Sequence, residues 1–383
     1  MKRLLFLMPV FALASCTVPQ FQGNEDIQPE TAFIEEIPPS QTDINDFPER
    51  INYKNQNAVW IPYIRYEEYM QGKSEDEFRE IIRKEFASEY ADGVNTLYVH
   101  AHPFADAYYK SEIFPKGSML DGDYDPLEIM IQEAHALKIS VHAWINPLRC
   151  QSVEEMNYLD DDFIIKQWAG NPDCRFVKVV NGRYYLDPSY NEVRDLICRC
   201  AEEIIENYNV DGIHIDDYFY PTTYEEFDAV EFQESGAEDL SEWRTQNCTE
   251  FVKALYDTVK SCGKDVVFGI SPQGNINADY ESQYADVRLW GSQRGYCDYI
   301  VPQIYFGFNN EICPFEQTLY EWESITAGSG VSLIVGLAEY KLNKGDEWAG
   351  EAGESEWIDN PDIVQQQEQL AINTGADGYA RYK

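Results

Sequence analysis

Short apolar runs alternate with longer amphipathic stretches along most of the chain. Within the short runs, successive side chains alternate between two faces, as they do in buried strands. In the longer stretches, apolar residues recur three and four positions apart, as they do in helices that pack on a sheet. The predicted strands are 58–64, 96–101, 139–145, the beginning of the stretch 210–221, 266–270, 299–305, 331–337 and 378–381.

Capping residues indicate where the intervening helices begin. Ser74 and Glu77 have the spacing of a capping box, in which each side chain bonds with the backbone of the other residue. Ser189 and Glu192 repeat this spacing before a later helix. Asp125 precedes a proline, a residue that suits the first turn of a helix.

Eight strands separated by helical segments predict an α/β fold, a (β/α)8 TIM barrel with a single catalytic domain. The stretch 102–122 and the stretch between the third strand and Ser189 are expected to be long loops. An open doubly wound sheet is the alternative fold. The barrel is favoured because no glycine-rich nucleotide-binding motif follows any predicted strand.

The first residues have the pattern of an export signal. A basic start at Lys2 and Arg3 precedes an apolar run, which is followed by the tetrapeptide Leu-Ala-Ser-Cys that ends at Cys16. This tetrapeptide resembles a bacterial lipobox, so we expect Cys16 to be acylated; an ordinary secretory signal is the alternative. No later apolar run reaches the roughly 18 residues that a membrane span requires. The expected organisation is a lipoprotein signal peptide at 1–16, a flexible tether at 17–50 and the barrel domain at 51–383.

Charge limits the partners that the protein can bind. Lys and Arg number 29 against 68 Asp and Glu, a formal net charge of -39, which argues against nucleic acid and anionic membrane surfaces as ligands. Contact with a membrane is expected only through the N-terminal lipid anchor of an exported cell-envelope protein. The cysteines after Cys16 include no C-x-x-C pair and no zinc-site spacing. Their disulfide state and the oligomeric state remain open.

Polar residues cluster at the ends of the predicted strands, where barrel enzymes carry their active sites. Four of the five histidines follow this pattern, namely His100, His102, His142 and His214. Asp216 and Asp217 close the fourth strand, and Asp216 shares a strand face with His214 because side chains alternate. By the same alternation Asp217 should point away from Asp216, unless the strand ends or bulges there.

Two kinds of catalytic site fit this cluster. A metal hydrolase would use His100 and His102 with the other histidines nearby, but the fifth, sixth and seventh strand ends add no further histidine. A glycosidase needs two carboxylates together with aromatic platforms and groups that bind hydroxyls. Asp216 and Asp217 supply the carboxylates, and a glycosidase would require no metal or other cofactor. The matching candidates for sugar binding are Trp144, Asn146, Tyr218, Gln303 and Tyr305.

Several blocks of sequence resemble the bacterial glycosyl hydrolase-like 10 family over about residues 58–345. The blocks are 93–96, 103–107, 142–147, 211–221, 271–275 and 301–306. Residues 211–216 also resemble the fourth-strand motif of the α-amylase superfamily, although the acidic Glu of that superfamily's fifth strand has no counterpart. The resemblance implies a barrel that hydrolyses a polysaccharide. Because the family includes peptidoglycan-cleaving envelope lipoproteins, denuded peptidoglycan strands are one implied target.

The resemblance assigns Asp216 the role of nucleophile or base. The candidates for the acid are Asp217, Asp106 and Glu339. His142 and His214 are expected to donate hydrogen bonds to Asp216, which would lower its pKa, or else to be satisfied core histidines. They and Asp106 are also candidate substrate-binding residues. The family commonly has an Arg at the position of His102. A glycan-binding lipoprotein on a degenerate barrel is the non-enzymatic alternative.

Overall fold

A computed structural model describes residues 49–263 and 265–383. The predicted signal peptide, the acylated Cys16 and all but the last two residues of the predicted tether lie outside these described residues, so those predictions stay predictions. None of the helices in the described ranges is both long and apolar enough to cross a membrane.

The strands and helices of the described residues follow one another in an α/β order. The strands are β1 (Gln56–Ile61), β2 (Thr96–His102), β3 (Ser140–Ile145), β4 (Arg149–Ser152), β5 (Val177–Val180), β6 (Arg183–Leu186), β7 (Gly212–Ile215), β8 (Val267–Ile270), β9 (Tyr299–Ile300), β10 (Ser332–Ala338) and β11 (Gly378–Tyr382). The α-helices are α1 (Tyr66–Met70), α2 (Glu75–Ala91), α3 (Pro126–Ala136), α4 (Val153–Met156), α5 (Ile164–Gly170), α6 (Asn191–Asn207), α7 (Ala229–Ser235), α8 (Leu240–Cys262), α9 (Ile276–Gln283), α10 (Val287–Ser292), α11 (Phe315–Thr326), α12 (Glu356–Asp359) and α13 (Ile363–Thr374). Short 3-10 helices occupy Tyr63–Arg65, Glu225–Phe227 and Glu339–Lys341.

Eight parallel strands close into a barrel in the order β1-β11-β10-β9-β8-β7-β3-β2. Each predicted strand is present, so the prediction of a (β/α)8 barrel is confirmed. β9 is shorter than the predicted strand 299–305 because Pro302 has no N–H to donate to a ladder. The chain rejoins the sheet at Gln303, which bridges Gln273 on one side and Gly336 on the other. This places Gln303 at the C-terminal end of the barrel.

The segment between β3 and α6 is not the long loop that the sequence predicted. It contains α4, α5 and a three-stranded antiparallel sheet in the order β4-β6-β5. This sheet begins at Arg149, which pairs with Tyr185 of β6. The small sheet therefore positions the backbone of Arg149 just beyond the end of β3.

The helix caps confirm two of the three sequence predictions. Ser74 and Glu77 form the capping box of α2, and Asp125 accepts a hydrogen bond at the start of α3. The capping box at Ser189 is wrong, because α6 begins one residue later and has Tyr190 at its N-cap with no side-chain bond. The Ser189 hydroxyl has no hydrogen-bond partner among the described residues.

A chain of hydrogen bonds runs through the interior of the barrel. The indole N–H of Trp60 donates to Nε2 of His214 at 3.2 Å, and Nδ1 of His214 lies 3.0 Å from the Tyr299 hydroxyl. That hydroxyl lies 2.7 Å from Nδ1 of His142. An indole nitrogen can only donate, so a neutral His214 carries its proton on Nδ1 and donates it to the Tyr299 oxygen, and the Tyr299 hydroxyl in turn donates to Nδ1 of His142. The direction of every bond in the chain is thereby determined.

Burial keeps both histidines of this chain neutral. It lowers the pKa of His142 to about 4 and the pKa of His214 well below its ordinary value. The Tyr98 ring stacks on His214 at 4.1 Å, and Gly269 leaves room for the Tyr299 ring, whose nearest atom would lie 1.9 Å from an added Cβ. These polar rings therefore fill the barrel as core side chains.

Asp211 ties the segment before β1 to the N-terminal end of the barrel. One carboxylate oxygen accepts from the backbone N–H of Ile51 at 2.6 Å. The other accepts from the N–H of Val141 and from Nε2 of His135, both at 2.8 Å. Arg50 donates to the carbonyl of Val210 beside it. The chain is thus hydrogen-bonded to the barrel from Arg50 onward.

A buried ion pair fixes the loop that follows β7. Arg244 of α8 donates to both oxygens of Asp228, to the Tyr284 hydroxyl at 3.0 Å and to the Tyr224 carbonyl at 2.8 Å. Both members of the ion pair are fully buried. A buried charge that loses its partner is strongly destabilising.

We expect Asp228→Asn and Arg244→Met each to lower the free energy of unfolding by about 3–5 kcal/mol, because each leaves one charge buried without its partner. Urea denaturation followed by circular dichroism measures the change. Glu234→Gln, which removes an exposed partner of Arg175, is the control and should cost much less. Equal losses in the control and in the buried pair would contradict the proposed role of the ion pair.

Candidate active site

A pocket of about 330 Å³ opens at the C-terminal ends of the barrel strands. Every barrel strand except β8 contributes a residue to its wall, either from its last positions or from the loop that follows. The lining residues are Trp60, Tyr63, Ile64, His100, Trp144, Asn146, Arg149, Asp216, Asp217, Tyr218, Gln303, Tyr305, Tyr340 and Tyr382. This is the face of a TIM barrel on which enzymes carry their active sites.

Asp216 and Asp217 both line this pocket because β7 ends at Ile215. Beyond a strand end, consecutive side chains no longer alternate between two faces. Strand alternation predicted that Asp217 points away from Asp216 unless the strand ends there. The strand does end there, so Asp217 can face the same pocket as Asp216.

Asp216 is the more deeply buried of the two, with 4% of its surface exposed. One oxygen accepts from the indole N–H of Trp144 at 3.1 Å, and the other accepts from the backbone N–H of Tyr218 at 3.4 Å. Burial, followed by the negative charge of Asp217, raises the pKa of Asp216 well above its ordinary value. Asp216 therefore retains a proton more readily than an ordinary carboxyl group.

Asp217 is partly exposed and has a different partner. The side-chain amide of Gln303 donates to it at 3.3 Å and to the Ser271 carbonyl at 3.2 Å. Burial raises the pKa of Asp217, while the hydrogen bond from Gln303 favours the ionised form and opposes that rise. Of the two carboxyl groups, Asp217 is the one whose surroundings favour the negative charge.

Aromatic rings form most of the remaining wall. The ring of Trp144 stacks on His100 at 3.7 Å with 13° between the planes. On the opposite side, Tyr305 contacts Tyr382 at 6.2 Å and Tyr340 at 6.0 Å between ring centroids. Flat apolar faces beside carboxyl groups suit a sugar ring, which presents C–H groups on its faces and hydroxyls on its edge.

Arg149 is the cation of the pocket. Its guanidinium lies 4.1 Å from the Phe104 ring and 4.2 Å from the Tyr218 ring, so it is held between two aromatic faces. The positive charge of Arg149 lowers the pKa of both Asp216 and Asp217, although less than burial raises it.

Five of the predicted sugar-binding residues line the pocket together with the two aspartates; they are Trp144, Asn146, Tyr218, Gln303 and Tyr305. Asn146 is fully buried, accepts from the Trp144 indole at 3.1 Å and donates to the Pro103 carbonyl at 3.3 Å. The indole N–H of Trp144 therefore makes a bifurcated hydrogen bond with Asn146 and Asp216. Tyr218 is the more exposed platform, with 41% of its surface accessible.

Two predicted histidines are not brought into the pocket. His142 and His214 lie inside the barrel, where both nitrogens of His214 bond with Trp60 and Tyr299 and Nδ1 of His142 bonds with Tyr299. The donor to Asp216 is instead Trp144. Both histidines are therefore core residues, which was the alternative to their donating to Asp216.

Two of the three candidate acids also lie outside the pocket wall. Asp106 is buried in the loop after β2, where it accepts from the N–H of Phe104 at 2.8 Å. Burial raises the pKa of Asp106 to about 7. Glu339 lies 4.0 Å from Arg381 in the 3-10 helix after β10. Asp217 is the acid candidate that the structure brings beside Asp216.

Sequence reasoning missed several residues of the wall. They are Arg149, Tyr63, Tyr340 and Tyr382, each of which comes at or just after a strand end. His100 lines the pocket, whereas His102 packs on Phe114 at 4.3 Å. These residues could have been found in the sequence by their position at or just after a predicted strand end, whatever their residue type.

Of the histidines that suggested a metal site, His142 and His214 both bond with the Tyr299 hydroxyl, whereas His102 packs on Phe114. Within residues 49–263 and 265–383, no three His, Cys, Asp or Glu side chains are grouped so as to hold a metal ion. In the same ranges the eight cysteines after Cys16 are all unpaired.

Comparison with known proteins gives relatives at the level of sequence. The glycosyl hydrolase YngK of Bacillus subtilis (strain 168) is 32% identical over 316 residues, which cover 75% of this chain and 61% of that protein. The glycosyl hydrolase DigH of Escherichia coli (strain K12) is 29% identical over 311 residues, 73% of this chain and 69% of that protein. This chain thus spans less than two thirds of the length of YngK.

Solved structures share the fold at low sequence identity. The glycoside hydrolase domain of PgaB (BpsB) from Bordetella bronchiseptica superposes with a TM-score of 0.55 and 13% identity, covering 86% of this chain and 94% of that one. An α-amylase from Geobacillus thermoleovorans has a TM-score of 0.51 and 12% identity, covering 87% and 71% of the two chains. Both likenesses confirm the barrel.

The family comparison matches most of the barrel. Residues 56–352 match the model of the family described as Glycosyl hydrolase-like 10. This range includes all the predicted sequence blocks as well as Asp216 and Asp217, and it agrees with the names of the two relatives. The chain therefore belongs to the glycosyl hydrolase-like 10 family, as its sequence blocks predicted.

Proposed function

We propose that this protein hydrolyses O-glycosidic bonds in a polysaccharide, with Asp216 and Asp217 as its catalytic carboxyl groups. The observation that carries the proposal is that two adjacent carboxyl groups with unlike surroundings share one aromatic pocket at the C-terminal end of the barrel. Such a pair can keep one proton and one negative charge near neutral pH. Membership of the family supports the same chemistry.

The two environments assign a role to each carboxyl group. Asp216 is the more buried and faces the charge of Asp217, so it holds the proton and donates it to the leaving oxygen. Asp217, hydrogen-bonded by Gln303, carries the negative charge that stabilises the oxocarbenium-like sugar in the transition state. A water molecule then adds to the anomeric carbon and gives one proton to Asp216, which is thereby reprotonated. This assignment reverses the role of nucleophile or base that the α-amylase resemblance implied for Asp216.

The proposed substrate is a glycan of the bacterial envelope, with denuded peptidoglycan strands as the first candidate. The support is the resemblance of the six sequence blocks to a family that includes peptidoglycan-cleaving lipoproteins. Trp144 and Tyr305 line the pocket and would offer their aromatic faces to the sugar rings of this substrate.

Asp216→Asn and Asp217→Asn should each lower the rate of glycan cleavage by about 10²- to 10⁴-fold, because each removes a proton donor or a negative charge from the reacting centre. Release of reducing ends from denuded peptidoglycan strands and from neutral polysaccharides measures the rate. Asp106→Asn is the matched control, since its amide oxygen can still accept from Phe104.

Other outcomes would identify the alternatives. Binding of glycans without turnover by the unchanged protein would indicate a glycan-binding lipoprotein on a degenerate barrel. Activity that is lost with a chelator and restored by a metal ion would indicate a metal hydrolase. Full activity in Asp216→Asn would remove this residue from the mechanism.

The roles of the pair can be tested through the pH profile. Gln303→Met removes the donor that favours ionised Asp217, so the pKa of Asp217 should rise. The acidic limb of the rate profile should then move up by about one pH unit, as expected for one hydrogen bond to a charged group. Trp144→Phe removes a donor to Asp216, so the pKa of Asp216 should rise and the alkaline limb should move up instead.

Rates measured between pH 4 and pH 9 on one glycan give both limbs. If Gln303→Met moves the alkaline limb and Trp144→Phe moves the acidic limb, the two aspartates have the opposite roles.

We also propose that the protein is an exported lipoprotein, anchored through Cys16 with 17–50 as its tether. The support is the basic start, the apolar run and the lipobox-like tetrapeptide.

In cells, Cys16→Ser should abolish incorporation of a labelled fatty acid and release the protein from the membrane fraction, because acylation requires the thiol. Cys174→Ser, a change on the partly exposed surface of the barrel domain, is the control. Labelling that persists in Cys16→Ser would contradict the proposed anchor.

A further inference from the structure

Arg149 is a buried cation whose side chain makes no hydrogen bond or ion pair with the described part of the protein. Only 8% of its surface is exposed. Its Nε has no hydrogen-bond partner there, and none of the described carboxylates lies within the 4.0 Å of an ion pair. Its contacts are the aromatic faces of Phe104 and Tyr218 and, at 5.8 Å, of Tyr63.

Two other arginines of the same fold show what a buried guanidinium normally requires. Arg244 is surrounded by Asp228, a tyrosine hydroxyl and a backbone carbonyl. Arg183 lies 4.4 Å from the Phe104 ring that Arg149 also contacts, but it donates to the Cys150 carbonyl at 2.6 Å. Burying a guanidinium without such partners is costly, so an unpartnered one in a pocket wall indicates that a ligand supplies the acceptors.

The catalytic pair does not supply those acceptors. Asp216 already accepts from Trp144 and from the backbone of Tyr218, and Asp217 accepts from Gln303. Arg149 affects both carboxyl groups only at a distance, without a hydrogen bond to either. Arg149 also lines the pocket, so a substrate bound there can supply acceptors to its guanidinium.

We propose that Arg149 binds a carboxylate carried by a sugar beside the scissile bond, so that the substrate is an acidic glycan. The planar guanidinium presents parallel N–H donors that match the two oxygens of a carboxylate. The inference rests on the proposed glycosidase function and narrows its substrate class.

The negative charge of the protein opposes the binding of an acidic substrate. The formal net charge of -39 and the negative Asp217 both repel an anionic sugar. Because Phe104 and Tyr218 exclude water from the guanidinium faces, the attraction that Arg149 exerts is stronger than it would be on an exposed surface. Arg149 thus offsets this repulsion inside the pocket, where the sugar would bind.

The test pairs a change in the protein with the matching change in the glycan. Denuded peptidoglycan strands carry a free carboxylate on each muramic acid, and carbodiimide activation followed by borohydride reduction converts it to an alcohol. Arg149→Gln removes the charge, Arg149→Lys keeps the charge without the planar fork, and Arg183→Gln is the control on the same Phe104 ring.

On native strands, Arg149→Gln should raise KM by about 10- to 100-fold, as expected for hydrogen bonds to a charged group, with a smaller change in kcat. The KM of Arg149→Lys should lie between that of Arg149→Gln and that of the unchanged protein. Reduction of the strands should raise KM of the unchanged protein by a similar factor and should abolish the difference between it and Arg149→Gln. Arg183→Gln should keep the preference for native strands.

Two results would overturn the proposal. One is an equal loss of kcat on native and reduced strands in Arg149→Gln, which would mean that Arg149 acts on the aspartates. The other is equal KM values for both strands with the unchanged protein. If the unchanged protein cleaves neither strand, the proposed function fails, and calorimetric titration of the Asp216→Asn variant with both strands still decides whether Arg149 reads the carboxylate.

Discussion

Polar side chains enclosed in the barrel must bond with one another, because burial separates them from water. The chain from Trp60 through His214 and Tyr299 to His142 satisfies this constraint with one proton for each bond. It joins β1, β7, β9 and β3 below the pocket. The pocket therefore lies above a hydrogen-bonded layer, here called the floor, whose protonation does not change near neutral pH.

On this floor, the fold gives two adjacent residues unlike surroundings. β7 ends just before Asp216, so both aspartates enter the pocket, where Trp144 from β3 and Gln303 from the loop after β9 each supply a donor. The ion pair of Arg244 with Asp228 secures the remainder of the loop after β7. The two neighbouring carboxyl groups thus differ in pKa because side chains that are distant in the sequence bond with each of them.

The barrel and the position of its active end could be predicted from the sequence because they depend on local patterns. Strand alternation, helix periodicity and the capping box at Ser74 are each visible within a few residues. The pattern failed where a local signal competed with tertiary packing. Ser189 has capping spacing, yet α6 begins at Asn191, and the expected loop after β3 contains a small sheet. Strand parity also could not show that β7 ends at Ile215, before both aspartates.

The sequence by itself determined that Asp216, Trp144, Gln303 and Tyr305 would lie at one end of a barrel, because parallel strands bring their carboxyl ends together. Tertiary structure alone decided which polar residues reach the pocket. His142 and His214 share the strand face of the active site, but they lie one layer too deep and bond with Tyr299 instead. Arg149 reaches the pocket because the small sheet positions it against Phe104. The depth of a side chain in the barrel and its partners depend on contacts between distant segments, which a pattern along the chain does not contain.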